Sequence, residues 1–224
     1  MAAKNPKTVT IYGRLSFPTF TAKEAYDRSQ KGNYPAADIA SASPDFQLLV
    51  EEAQLDKLRN HVLNEFFPYC IEQEKKNEKR DVLSSKEVAE LTKQITSDDF
   101  DGNYNTPFKP VHEKSAPLAP ECVATIKVIG NKGTDIELKA IVNSEDELAV
   151  PDPDLLQFPV IKPISATVHS MYPGCYVAAT LNLYAYHNGK LPGFSAGAGV
   201  AVFKADGDRF GGGVSIDEDE IFLD

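Results

Sequence analysis

The chain has 224 residues, of which 42% are hydrophobic and 25% charged, so it can bury a full core and has the make-up of an ordinary soluble protein with one domain plus appendages. No run of about eighteen apolar residues is present to span a bilayer, and the start MAAKNPKTVT lacks the apolar stretch of a signal peptide, so a cytoplasmic location is expected. The formal net charge of −10 argues at first sight against a nucleic-acid partner, because phosphate binding needs clustered Lys and Arg. Where the charge lies matters more. Five of the 33 acids fall in residues 217–224, and others concentrate in residues 51–90 and in SEDELAVPDPD at 144–154, while bases predominate elsewhere.

Residues 8–17, TVTIYGRLSF, alternate as a half-buried strand: Val9, Ile11, Leu15 and Phe17 share one face, and Thr10, Tyr12, Arg14 and Ser16 the other. The next stretch reads as a loop or arm with basic and aromatic residues interleaved, Phe20, Lys23, Tyr26, Arg28, Lys31 and Tyr34, leading into a weaker strand near 34–41. Ser43 as a cap, Pro44 in the first turn and Asp45 against the dipole predict a helix from there, with Phe46, Leu49, Val50, Ala53, Leu58, Val62 and Phe66 as its apolar stripe. A second helix is predicted from Ser84, which forms a capping box with Glu87. The helical insertion thus spans about 44–97. Residues 98–121 are rich in Asp, Gly, Asn and Pro and read as one long irregular segment.

Period-two alternation returns at CVATIKVI and DIELKAIV, which flank GNKG and read as a β-hairpin. A longer strand follows at 174–187, with Cys175, Val177, Ala179, Leu181, Leu183 and Ala185 inward and Tyr176, Thr180, Asn182, Tyr184 and Tyr186 outward. The glycine-rich stretch 193–204 forms a last strand. Five or more strands interrupted by helices make a mainly β (α+β) protein, and favour a small, partly open five-stranded antiparallel barrel over a parallel sheet.

Catalytic signatures are missing from this sequence. It has no phosphate-binding G-x-x-x-x-G-K-[ST] loop and no G-x-S-x-G elbow, and its paired acids Asp98, Asp99, Asp101, Asp152 and Asp154 sit in loops without an organised base. Cys70, Cys122 and Cys175 are too dispersed for a disulfide framework or a zinc site, and the four histidines are equally scattered, so no metal or cofactor is expected.

The exposed set Tyr12, Arg14, Phe20, Lys23, Tyr26, Arg28, Lys31 and Tyr34 has the composition that a single nucleic-acid strand needs, since bases stack on aromatic faces while cations track phosphates. The same tyrosines can equally cover the sheet or anchor loops. Tyr176, Tyr184 and Tyr186 can form a stacking platform or pack beneath the helical insertion. Tyr104, Phe108 and Lys109 can close over a strand or pin the irregular segment. The end, GGGVSIDEDEIFLD, is a glycine hinge followed by Asp217, Glu218, Asp219 and Glu220 and the apolar triplet Ile221, Phe222 and Leu223. It holds too few apolar residues to fold, so residues 211–224 read as a flexible acidic tail on a body of residues 1–210. Such a tail can mimic DNA's charge and dock through Phe222, or serve solubility alone.

The run MYPGCYVAATLNLYAYHNGKLPGFSAGAGVAVFKADGDRFGGG at 171–213 resembles the C-terminal half of phage single-stranded DNA-binding proteins, and TIYGRLSFPTF at 10–20 is similar to their first strand. The tail DEDEIFLD resembles the acidic, aromatic-tipped tails of that group, except that Phe222 precedes Leu223 and Asp224 instead of standing last. The resemblance implies an OB-fold, non-catalytic binding of DNA intermediates in phage replication, recombination or repair in the infected cell, and a tail that docks replication or recombination proteins. A homo-oligomer is compatible with it. Two other classes remain: an accessory nuclease holding Mg²⁺ on Asp98, Asp99 and Asp101, and a virion or scaffold protein.

Overall fold

The computed structural model describes residues 5–97, 100, 105–142, 160–163 and 171–210. Strand β1 (Thr8–Thr19) buries Val9, Ile11 and Leu15 on its inner side, as the alternation predicts. The following connection carries a helix instead of an extended arm: α1 (Ala22–Ser29) opens on a capping box between Thr21 and Glu24. The weak strand expected at 34–41 is replaced by turns and a short 3-10 helix at Ile39–Ser41, capped by Asp38.

The helix expected from Ser43 starts late. Asp45–Val50 forms β2, pairing with β1 on one side and with β4 (Ala124–Ile129) on the other, and helix α2 (Glu52–His61) begins only after it. Phe46, Leu48 and Val50 are spaced by two and all enter the core, so pairing along both edges outweighs the local capping signals. From α2 the chain runs through a widened π turn at Val62–Phe66 into α3 (Phe67–Lys75). The widening falls directly before Pro68, whose ring would collide with the Asn64 carbonyl in a regular helix. Helix α4 (Ser85–Thr96) carries the expected Ser84–Glu87 capping box.

Strand β3 (Phe108–Lys109) is brief, β5 (Glu137–Val142) and β6 (Val160–Pro163) form an outer pair, and β7 (Tyr176–Asn188) and β8 (Leu191–Ala205) form the long final hairpin. The sheet runs β3-β4-β2-β1-β7-β8-β5-β6, and β4 also pairs with β8, so that β1, β2, β4, β8 and β7 close into a five-stranded barrel. The closing seam is a parallel pairing of Val128 with Ala196 and Ile129 with Gly197. This is the OB-like barrel with a helical insertion that the resemblance implies. The hairpin predicted around GNKG does not form. Both edges of β4 are already occupied, by β2 on one side and by β3 and β8 on the other, so β5 pairs with β8 instead. The intervening turn packs on the first connection, with Gly133 at φ +64 and a Cβ there lying 2.8 Å from the Ala40 backbone.

An aromatic cluster joins the insertion to the barrel. Phe66, Phe67, Phe108 and Phe194 are fully buried, Phe194 lies 5.4 to 6.2 Å from the other three rings, and Phe100 stacks on Phe108 at 6.0 Å. Phe194→Ala is expected to lower unfolding stability by about 3–5 kcal/mol, read from urea denaturation, because the surrounding rings belong to different elements and cannot collapse onto the gap.

Candidate nucleic-acid interface

Leu15, Leu48 and Ile126 point into the barrel, so their neighbours in register point outward in two rows across β1, β2 and β4: Arg14–Leu49–Thr125 and Ser16–Gln47–Lys127. The first row is covered. Residues 110–121 cross over it, and Arg14, only 4% exposed, holds that crossing in place. Its Nη1 donates to Leu118 O at 2.7 Å and to the Glu121 carboxylate at 3.3 Å, Nη2 to Asp208 O at 2.8 Å, and Nε to Gly174 O at 3.2 Å. The guanidinium also lies between the rings of Phe210 at 4.5 Å and Tyr176 at 5.4 Å. The expectation that Arg14 faces a DNA strand is therefore corrected: its donors are used within the protein, which is what makes its burial affordable.

The second row is buried at Ser16 but open at Gln47 and Lys127, which form the floor of a groove. Gln47 and Lys127 are half-buried there, and Lys109 on β3, outward opposite Thr125 because Phe108 turns inward, is near enough to Lys127 to feel its charge. Burial pushes the Lys109 ammonium below its ordinary pKa, and the nearby Lys127 charge pushes it further in the same direction. Phe17 borders the floor. The sequence pattern puts Phe17 inside, but a β-bulge between Ser16 and Thr19 turns it out, leaving it 49% exposed at φ 45° with its edge against His112 at 5.8 Å. A left-handed backbone at a bulky residue is costly, and bulges of this kind re-aim side chains beside binding sites. Pro18 within the strand is the one sequence signal for this irregularity.

The connection between β1 and β2 stands beside the groove. Its root is apolar: Phe20 is buried 5.9 Å from Phe46, and Ala22 and Ala25 of α1 are buried as well. Phe20 is thus an anchor and not a stacking surface. Beyond it, Lys23 pairs with Asp27 at 2.6 Å, Tyr26 is half-buried, and Arg28 pairs with the Asp45 carboxylate at the start of β2. Lys31 is exposed and forms no ion pair among the described residues, and Tyr34 is 94% exposed.

The expected contact set therefore divides. Lys23, Tyr26, Arg28, Lys31 and Tyr34 lie on the connection between β1 and β2 and Lys109 on β3, whereas Tyr12, Tyr184 and Tyr186 lie on another wall of the barrel. Arg14, Phe20 and Phe108 are interior, Phe108 because it fills the aromatic cluster. Tyr104, the acids Asp98, Asp99 and Asp101, and the tail residues Asp217, Glu218, Asp219, Glu220 and Phe222 lie outside the described residues. Phe17, Gln47 and Lys127 are groove residues that the sequence pattern did not single out. Burial pushes the thiols of Cys70, Cys122 and Cys175 up to about 12, which keeps them protonated and unreactive. Among the described residues, no three His, Cys, Asp or Glu side chains are grouped to hold a metal, and no helix is long and apolar enough to cross a membrane.

A family model described as the single-stranded DNA-binding protein of Enterobacter phage Enc34 matches residues 70–222. The chain belongs to this family. Among solved structures it is similar to the bacteriophage Enc34 single-stranded DNA-binding protein in complex with single-stranded DNA, at 12% identity and a TM-score of 0.52, covering 92% of this chain and 90% of that one. It is also similar to gp2.5, the single-stranded DNA-binding protein encoded by bacteriophage T7, at 10% identity and a TM-score of 0.44, with 94% and 98% of the two chains covered. No curated protein matches the chain. At 12% identity, the likeness to the Enc34 structure is one of fold, so the groove of this family member must be read from its own residues.

Lys127→Gln is expected to raise the pKa of Lys109, since it removes the repulsion but leaves the burial. An NMR titration of the lysine side-chain signals measures this. An unmoved Lys109 would show that the two ammonium groups do not share the groove floor.

Proposed function

We propose that the protein binds single-stranded DNA non-catalytically, in the groove formed by β1, β2 and β4 and the connection that carries α1. The family match over residues 70–222 carries this reading. The barrel supports it, since OB-folds bind oligonucleotides on their second and third strands, here β2 and β4, flanked by the loop between the first two strands. Bases stack on Phe17 and Tyr34 for about 1–3 kcal/mol each, and Lys31, Lys109 and Lys127 neutralise phosphates, with Lys23 and Arg28 at the margin. Tyr26 supports the arm. The protein acts in the infected host cell on intermediates of phage replication, recombination or repair.

The tail is assigned two roles on its chemistry. Asp217, Glu218, Asp219 and Glu220 compete for the cationic groove at an effective concentration of order millimolar, which masks a weak site but not a tight one. Phe222 fills a pocket on a replication or recombination protein.

Fluorescence anisotropy with labelled oligo-dT across a salt series tests the groove. Lys31→Ala and Lys127→Ala should each weaken binding and flatten the logarithmic salt slope by up to about 0.7, the value for one lost phosphate contact on a single strand. Tyr34→Ala should weaken binding at an unchanged slope. Phe17→Gly should do the same without loss of fold stability, because glycine tolerates the left-handed backbone. Binding that is absent, or unaltered in all four variants, would contradict the assignment.

Deletion of residues 214–224 should raise DNA affinity, most at low salt, and Phe222→Ala should weaken partner association but leave DNA affinity intact. Equal DNA affinity of full-length and truncated protein at every salt concentration would exclude masking.

A further inference from the structure

A second wall of the barrel, made by β1, β7 and β8, is separated from the groove by the covered row at Arg14. These three strands contain no Asp or Glu, in a chain that has 33. Their outward positions are flat, with Ala178 and Val202 in the row of Tyr12 and polar residues in the rows beyond it. Thr10 and Thr180 share a hydrogen bond at 3.1 Å, Thr8 donates to Asn182 at 3.3 Å, and on β8 the facing residues Gly197 and Gly199 have no side chains. A Cβ at Gly199 would lie 2.8 Å from the Thr180 carbonyl, so the strip cannot be built up with larger residues. Tyr12, Tyr176 and Tyr184 stand out of this strip at 45%, 36% and 37% exposure. From Tyr176 to Tyr184 it spans roughly 26 Å at about 3.3 Å per residue.

Cations gather at Tyr12. Lys57 of α2 and Lys204 of β8 approach its ring from different elements, with their ammonium nitrogens 5.5 and 5.9 Å from the centroid. The α2 acids Glu52 and Asp56 are turned to Arg59, at 3.7 and 3.8 Å, and neither Lys57 nor Lys204 forms an ion pair among the described residues. Glu51 borders the strip in the cleft between Tyr12 and Tyr176, and Asp81, paired with Lys7, lines its far end. At the far end, Lys79 and Arg80 flank a hollow with Tyr184 and Tyr186, whose rings are 6.4 Å apart. A strip of exposed rings, hydroxyls and amides with cations near both ends complements a polyanion with stacking bases.

We infer that this wall is a second single-stranded DNA contact, engaged by the part of the strand that leaves the groove and by oligonucleotides long enough to reach both. The inference rests on the function proposed above and adds to it the length dependence of binding. An OB-fold occupies about 4–16 nucleotides, so an oligonucleotide of about 8 fills the groove alone, while one of about 30 covers groove and wall. Wall contacts then act intramolecularly and strengthen only the longer ligand.

Anisotropy titrations of the full chain with oligo-dT of both lengths test this, using the Lys57→Ala/Lys204→Ala double variant and Tyr12→Ala, each with its thermal unfolding recorded. For the longer oligonucleotide, the double variant should lose about 10-fold in affinity at low salt and up to about 1.4 in the logarithmic slope, the value for two phosphate contacts. Tyr12→Ala should lose affinity at an unchanged slope. For the shorter oligonucleotide both variants should match the wild type. Unchanged binding of the longer ligand overturns the inference, and an equal loss at both lengths overturns it by placing the wall in the primary site. If the wild type binds neither length, the proposed function fails and the inference with it. If the wild type binds both and only the wall variants are silent, the inference fails alone.

Discussion

A guanidinium taken out of water must find acceptors for its N–H groups within the protein, and Arg14 satisfies that demand from several distant stretches of chain. The acceptors are carbonyls at Gly174, Leu118 and Asp208 and the carboxylate of Glu121, while Tyr176 and Phe210 provide ring faces. Because the demand is geometric as well as electrostatic, it holds the crossing segment 110–121, the turn before β7 and residues 206–210 against one point on β1. That point divides the outer surface of the barrel. On one side lies the groove with Phe17, Lys109 and Lys127, and on the other the wall with Tyr12 and Tyr184. Without it, the row at Arg14, Leu49 and Thr125 would lie open and the two surfaces would merge.

The barrel beneath is closed by a short parallel pairing between β4 and β8, where the β8 partners are Ala196 and Gly197. The helical insertion leaves after β2 and returns to β4 through residue 100 and β3, and its position is set by rings. Phe66 and Phe67 come from the insertion, Phe100 and Phe108 from the segment leading back to the barrel, and Phe194 from the final strand. Large side chains contributed by such distant segments bury area that none could bury alone. Phe108 is consumed in this packing and so leaves Lys109, its neighbour on a two-residue strand, on the outer surface.

An acidic protein that binds a polyanion must separate its charges in space. Here many of the acids fall in the tail sequence, on the helices and in the segment around 144–154, whereas the long strands β1, β7 and β8 are free of them. Several acids that do approach cations are matched to particular partners: Asp27 to Lys23, Asp45 to Arg28, Asp81 to Lys7, and Glu52 and Asp56 to Arg59. Among the described lysines that form no ion pair, Lys31 lies on the arm and Lys57 and Lys204 lie beside the exposed ring of Tyr12.

By itself the sequence determined what depends on near neighbours in the chain. The alternation of β1, β7 and β8 appears because a strand with one buried face must repeat every two residues, and α4 begins at Ser84 because its cap and Glu87 satisfy each other locally. The family resemblance was legible for the same reason, in the tyrosines and glycines of residues 171–213. Only the tertiary structure decided which edge each strand would use and which exposed position would stay exposed. DFQLLV carries helix-start signals just before it and still becomes a strand, since β1 and β4 both offer it an edge. Arg14 and Tyr12 share a face in the sequence pattern. One is buried because a segment a hundred residues away crosses over it, and the other is left in the open between Lys57 and Lys204. Phe17 reverses the expectation, since a bulge at Pro18 turns an apparent core residue outward. Periodicity predicts a side chain's direction within its own strand, but burial depends on what packs above it, and that is supplied by chain too distant for any local pattern to register.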